Sequence, residues 1–296
     1  MCRGPLLIKI AEITLPIFLL ALVGYVYARA KRPNLGDANK MVVDLALPVL
    51  IFTSLSAKSF DPLAALPFAL ASVLAILLSG VLAFAAARAS GAAWRAFVPC
   101  AMFVNVGPVG IPLIVLAYGP EGLAPAVVLL VLSNILHFTL GTGLMSGRID
   151  WRTLYANPLV WATVLGLAGS QARLSLPAWL DTSLGMLGSI LVPMMLLALG
   201  ARLSQSRLAD VGTGVRASLL IAAVRLVAAF GVLAVVPLDG ISRGALVLFA
   251  CMPSAVFNFM IADRFGIQPE KVASIVLVGH VGSLALLPAG LWLALR

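Results

Sequence analysis

FVNVGPVGIP, residues 103–112, lies in the middle of an apolar run that extends from about Ala96 to Tyr118. As a helix that run would be roughly 34 Å long at about 1.5 Å per residue, enough to cross a bilayer. Its centre nevertheless holds Asn105, Gly107, Pro108, Gly110 and Pro112. An unpaired backbone amide in hydrocarbon costs several kcal/mol, so broken helix is tolerated there only where protein or a water-filled cavity covers it. Pro108 and Pro112 each remove a donor and disturb the carbonyl four residues earlier. The stretch reads as a membrane helix broken near Pro108, with two half-helices presenting amides and carbonyls to a common point.

The rest of the chain supports a membrane setting. Of 296 residues, 62% are hydrophobic and 10% charged, against the roughly 25% charged of a soluble domain. The net charge of +9 is no nucleic-acid footprint, because the basic residues punctuate the ends of apolar runs instead of forming a patch. Cys2, Cys100 and Cys251 form no CxxC pair, so neither a disulfide framework nor a metal site is indicated.

Ten apolar runs are separated by charge or turn clusters, at about 10–28, 41–57, 64–87, 96–118, 123–145, 157–172, 179–200, 217–237, 242–264 and 271–294. The expected fold is an all-α membrane protein of about ten transmembrane helices. Thirteen Lys and Arg, Arg207 among them, fall in odd-numbered loops and six, including Arg3 and Lys58, on the other side. The positive-inside rule then places both termini on the outer side. Runs four and nine both break at proline, near Pro108 and Pro253, and runs two and seven carry Leu47-Pro48 and Val192-Pro193 at similar places. Five plus five spans with matched interruptions suggest two inverted repeats, residues 1–149 and 150–296, whose broken helices cross at the midplane.

Polar groups inside spans are functional candidates. Ser254 and Asn258 accompany the second break. Ser133, Asn134 and His137 share a face of run five, and His280 lies deep in run ten. Arg225 is the one basic residue well inside a span. It needs a carboxylate, backbone carbonyls or an anionic substrate; Glu12 and Asp44 are the internal carboxylates considered, and a structural role is favoured over substrate contact. No acidic side chain lies near the breaks, which argues for a proton, or no ion, over sodium. Glu12, Asp44 and Asp61 are the expected proton carriers.

Four stretches together resemble the auxin efflux carrier family: Asn105-x-Gly107-x-x-Gly110-x-Pro112, Asn157-Pro158-Leu159 with Gly166, Leu191 to Ala201, and Met252-Pro253-Ser254 through Asp263-Arg264-Phe265-Gly266. The resemblance covers about residues 10–295. It implies a ten-span carrier in which one bundle moves like an elevator against a scaffold, with a distant likeness to bile-acid–sodium symporters. It also implies dimerisation through the scaffold helices. Plant members export auxin, and bacterial members are assigned to malonate, malate or similar organic acids. Asp61-Pro62 resembles an Asp-Pro pair of the plant carriers. The long loop that those carriers place between helices five and six is reduced here to Ser146–Ala156.

The expected function is transport of a small organic anion without a cofactor. The substrate-binding set is Asn105, Gly107, Pro108, Gly110, Pro112, Ser133, Asn134, His137, Pro253, Ser254, Asn258 and His280. The competing readings are a sodium-coupled symporter of the bile-acid type, or a channel or receptor. HExxH, GxSG, GxGD and GxxxxGK[ST] are all missing from the sequence, so it carries no signature of a membrane protease or an ATP-driven pump. Fifteen Arg to five Lys in an Ala- and Leu-rich chain suits a bacterial inner membrane.

Overall fold

Proline, glycine and one aspartate set where the helices begin and end. Asp61 Oδ1 accepts from Leu63 N at 2.9 Å and Ala64 N at 3.3 Å. It thereby caps a helix that has Pro62 at its first position and ends on left-handed Gly91, φ 69°. In the computed structural model, which describes residues 4–34, 36–57, 60–148, 152, 155–205, 211–238 and 240–296, the chain is helical apart from its connections. One isolated antiparallel bridge is the only β pairing among the described residues. Cys2, Arg3, Lys58, Arg207 and the 149–150 boundary lie outside the described residues.

The helices are α1 (Gly4–Lys31), α2 (Gly36–Met41), α3 (Leu47–Ser56), α4 (Pro62–Ser90), α5 (Trp94–Met102), α6 (Ile111–Tyr118), α7 (Leu123–Leu136) and α8 (Thr142–Ser146). They continue as α9 (Pro158–Gln171), α10 (Ala178–Ser189), α11 (Leu191–Gln205), α12 (Val211–Val235), α13 (Gly240–Cys251), α14 (Val256–Phe265) and α15 (Pro269–Ala294). Wider π-helical turns at Val42–Ala46, Val106–Gly110 and His137–Gly141 connect their neighbours.

Among the described residues, six stretches are long and apolar enough to cross a membrane: Leu6–Lys31, Pro62–Ser90, Val106–Ser146, Ala178–Ser204, Val211–Val235 and Pro269–Ala294. The third is not straight. At Gly119–Gly122 the chain turns back, so tightly that a Cβ on Gly122 would lie 2.7 Å from the Ile114 carbonyl oxygen. Each of the ten expected runs carries helix, several of them as shorter pieces. The long helices are apolar all round, as lipid requires. On α4, Leu63, Leu66, Leu70, Leu74, Leu77, Val81 and Phe84 form an exposed stripe, while Phe68, Ala71 and Ala75 are buried behind it.

The helices pack in two groups. In one, α1 lies along α11, and α3 lies against α9 and α10. These crossings are close because small residues form them: a Cβ on Gly200 would overlap the Ala21 carbonyl, and one on Gly24 the Leu197 carbonyl. Gly166 does the same against Leu55. In the other group α4 packs on α5, α7 and α12, and α15 gathers α12, α13 and α14. The groups meet where α1 touches α6 and α15, and where α3 touches α7.

Candidate binding site at the helix crossover

The first break lies upstream of where the prolines suggest. α5 ends when Phe103 N donates to Pro99 O at 2.9 Å, and Phe103–Asn105 are non-helical. Pro108 sits inside the turn Val106–Gly110 that starts the second half-helix, and Pro112 in the first turn of α6. The physical reason is the direction of the proline effect. A proline fits the first turn of a helix but cannot bond the carbonyl four residues before it, here Val104, so the opening falls on that side. Val109 N and Gly110 N both reach Asn105 O, at 3.2 and 3.1 Å. Met195 packs beside Gly107 at ordinary contact distance, and a Cβ on Gly110 would lie 2.9 Å from Met252 Sδ.

The second break lies at Pro253–Ala255, between α13 and α14, as expected from the sequence. The two open segments meet antiparallel. Asn105 N donates to Pro253 O at 2.9 Å and Ala255 N donates to Phe103 O at 2.9 Å, bracketing the Val104–Ser254 bridge. Each break therefore satisfies part of the other's backbone. The first amides of the following half-helices, Gly107 on one side and Val256 and Phe257 on the other, make no backbone bond among the described residues. They carry the positive end of the helix dipole.

Several sequence candidates come together here. Asn105 Nδ2 lies 2.9 Å from His280 Nε2, and His280 Nδ1 lies 2.7 Å from Val276 O. A carbonyl only accepts, so Nδ1 carries the hydrogen and the Nε2 of the neutral ring accepts from the Asn105 amide. Asn258 Nδ2 donates to Phe103 O at 3.1 Å. His137 stacks on Phe103, centroids 4.2 Å apart at 6°, and meets Phe257 edge-on at 5.3 Å. His137 neighbours the Asn258 side chain, yet its Nε2 and Asn258 Oδ1 are both buried without a hydrogen-bond partner. Ser133 is buried one turn before His137 and Asn134 is half-buried beside it. Their carbonyls take the His137 N–H.

Arg225 on α12 is only 2% exposed. Its Nε donates to Ala101 O at 2.8 Å, its Nη1 to Met252 O, and its Nη2 to Cys100 O and, at 3.0 Å, to Ser254 Oγ. Ser254 Oγ itself donates to Cys100 O at 2.7 Å. One guanidinium thus joins the carbonyl ends of both interrupted helices. Neither Glu12 nor Asp44 is its partner; three backbone oxygens and the Ser254 hydroxyl are.

A cavity of about 800 Å³ opens beside the crossover, between α11, α14 and the first half of α15. His280 and Val256 line its inner part, and Arg202, Asp263 and Glu270 stand at the helix ends that form its mouth. A smaller one of about 180 Å³ lies against α1 and shares His280, Leu199 and Leu203 with it. Arg202, Asp263 and Glu270 lie outside the sequence-predicted set, and their one sequence signal is a shared position near helix termini. Glu12, Asp44 and Asp61 are exposed and line neither cavity, and the Asp61 carboxylate is engaged as the cap of α4.

An interrupted-helix crossover beside an open cavity, in a bundle with an apolar exterior, is the construction of a membrane carrier. The sequence matches the membrane transport protein family over residues 9–150 and again over 144–293, and the chain belongs to that family, which includes the auxin efflux carriers. It is 30% identical to an uncharacterised transporter of Methanothermobacter thermautotrophicus, over 95% of this chain and 96% of that one. It is 26% identical to a protein of Rhizobium meliloti provisionally named a malonate transporter, over 96% of each. An uncharacterised transporter of Methanocaldococcus jannaschii is 24% identical over 96% of this chain and 99% of its own length. The protein is an integral membrane transporter.

Proposed function

We propose that this transporter is a secondary carrier of a small organic anion of the malonate or malate kind, working by alternating access. The observation that carries the reading is the meeting of three features at one place: the free amide end of α14, the Asn105–His280 pair, and the cavity of about 800 Å³ that His280 lines. That volume lies within the range of small-molecule sites. With Arg225 neutralising the carbonyl ends, the amide ends remain as the uncompensated partial positive charge, which suits a carboxylate. The Rhizobium relative's name supports malonate as the first anion to try.

Two inverted repeats, 1–149 and 150–296, account for the packing. Exchanging the first five runs for the last five turns the α1–α11 contact into α9–α3, and α4–α5 into α12–α13, pairs that all occur. In this reading α1, α3, α9, α10 and α11 form the scaffold and the crossover bundle slides against it. The cavity lies between scaffold helix α11 and moving helices α14 and α15, so sliding would open it to one side and then the other. Its mouth carries Arg202, on the side that the positive-inside rule makes cytoplasmic. Coupling is to a proton or to no ion.

The test is uptake of radiolabelled malonate and malate into proteoliposomes, with imposed proton or sodium gradients. Saturable uptake with counterflow, reduced about tenfold or more by Asn105→Ala, is the expected result. Uptake that is indifferent to Asn105→Ala would mean that the crossover is a packing device and the anion binds elsewhere.

A further inference from the structure

Four oxygens converge at the centre of the crossover. Cys100 O and Ala101 O belong to the last turn of α5, Met252 O follows the end of α13, and Ser254 Oγ comes from the second break. Carbonyls of unwound backbone and half-helix C-terminal ends are the groups with which secondary transporters built on discontinuous helices hold a coupling cation. Here the place is filled by a side chain of the protein itself. Arg225 commits four of its five N–H donors to these oxygens. It has no carboxylate partner among the described residues, so its charge is met by carbonyl and hydroxyl dipoles. The side chain is buried, and the helix that carries it, α12, is packed on α4, α13 and α15 at once.

We propose that Arg225 is a tethered cation standing where a mobile coupling ion would bind, so that the crossover is permanently charged and the transport cycle needs no sodium. The inference rests on the carrier reading for its consequence in transport, and on the geometry alone for the occupied cation site. A brace that merely filled space could be replaced by packing. A tethered cation leaves behind, when removed, a site that a free cation of the same shape can refill.

Purified wild-type protein and Arg225→Ala are compared by thermal unfolding in sodium chloride, in choline chloride of equal ionic strength, and with about 20 mM guanidinium added to each, a concentration at which a ligand of millimolar affinity stabilises by mass action. Wild type is expected to show no more than about 1 °C between sodium and choline and no gain from guanidinium. Arg225→Ala is expected to lose roughly 10 °C, as for a buried charged partner removed, and guanidinium to restore at least half of that loss. Failure of guanidinium to raise the midpoint of folded Arg225→Ala overturns the proposal. So does sodium-specific stabilisation of wild type that Ser254→Ala abolishes. If Arg225→Ala does not fold, the wild-type comparison still decides, together with Arg225→Lys. That variant keeps a charge but cannot reach all four oxygens, and is expected to unfold earlier without a sodium or guanidinium response; stabilisation of it by sodium overturns the proposal. Wild-type uptake that requires sodium also overturns it, whereas lack of uptake of every anion tried would count against the carrier reading and leave the unfolding result standing.

Discussion

At the first break, Asn105 sends its side-chain amide to His280 and its backbone N–H to Pro253. At the second, Ser254 sends its hydroxyl to Cys100 O and accepts from Arg225. The two breaks share backbone geometry, two reciprocal hydrogen bonds across one bridge, but not side-chain duty. One side chain turns toward the residue that lines the cavity; the other turns into the buried charge. The helices behind them differ in the same way. α12 supplies Arg225, whereas α4, which packs against α12, supplies Ser79, whose buried hydroxyl has no partner. Two breaks with one backbone geometry thus carry different side-chain duties, one toward recognition and the other toward charge.

Substitutions that separate recognition from charge sharpen this contrast. Asn105→Ala and His280→Ala are each expected to reduce malonate uptake by about tenfold or more, and the double variant to be little worse than either. The coupling between them would be about 1–2 kcal/mol in a double-mutant cycle. Additive losses would show that the 2.9 Å contact does not matter to transport. Next in size is Ser254→Ala, which removes an acceptor from Arg225 and a donor from Cys100 O. Its expected cost is about 1–2 kcal/mol of stability, read as a lower unfolding midpoint in detergent. A smaller effect of opposite sign is expected from His137→Phe. It keeps the stack on Phe103 and deletes a buried nitrogen without a partner, so stability should hold or rise by up to about 1 kcal/mol, read as an unchanged or higher midpoint. A clear loss would mean that His137 Nε2 serves the Asn258 oxygen. The smallest is Ser79→Ala on α4, within about 0.5 kcal/mol; a large loss there would reveal a polar duty in the first half.

Much of this framework is legible in the sequence because it is written in backbone-breaking residues and in hydropathy. The ten apolar runs, the two interruptions and the family resemblance all follow from Pro, Gly, Asn and long stretches without charge. The position of the first break was less legible, since a proline marks where a half-helix begins and the opening falls on the residues before it. Contacts across the fold left no local trace: Asn105 and His280 are 175 residues apart. The partners of Arg225 were hidden for another reason. Backbone carbonyls have no letter of their own, so the letters offer carboxylates such as Glu12 and Asp44 instead, both of which lie on the exterior. Arg202, Asp263 and Glu270 were equally ambiguous, because charges at helix ends serve orientation and a cavity mouth alike.

The Val104–Ser254 bridge also bears on how the protein is made. Phe103 O and Asn105 N find their partners only in residues synthesised about 150 positions later. At roughly 5–20 residues per second, a nascent chain waits on the order of 10–30 s between translating the first broken helix and translating the segment that completes it. During that interval the opened backbone of the first half must stay sheltered by the insertion machinery or by water, and release into lipid becomes favourable only when the ninth apolar run arrives.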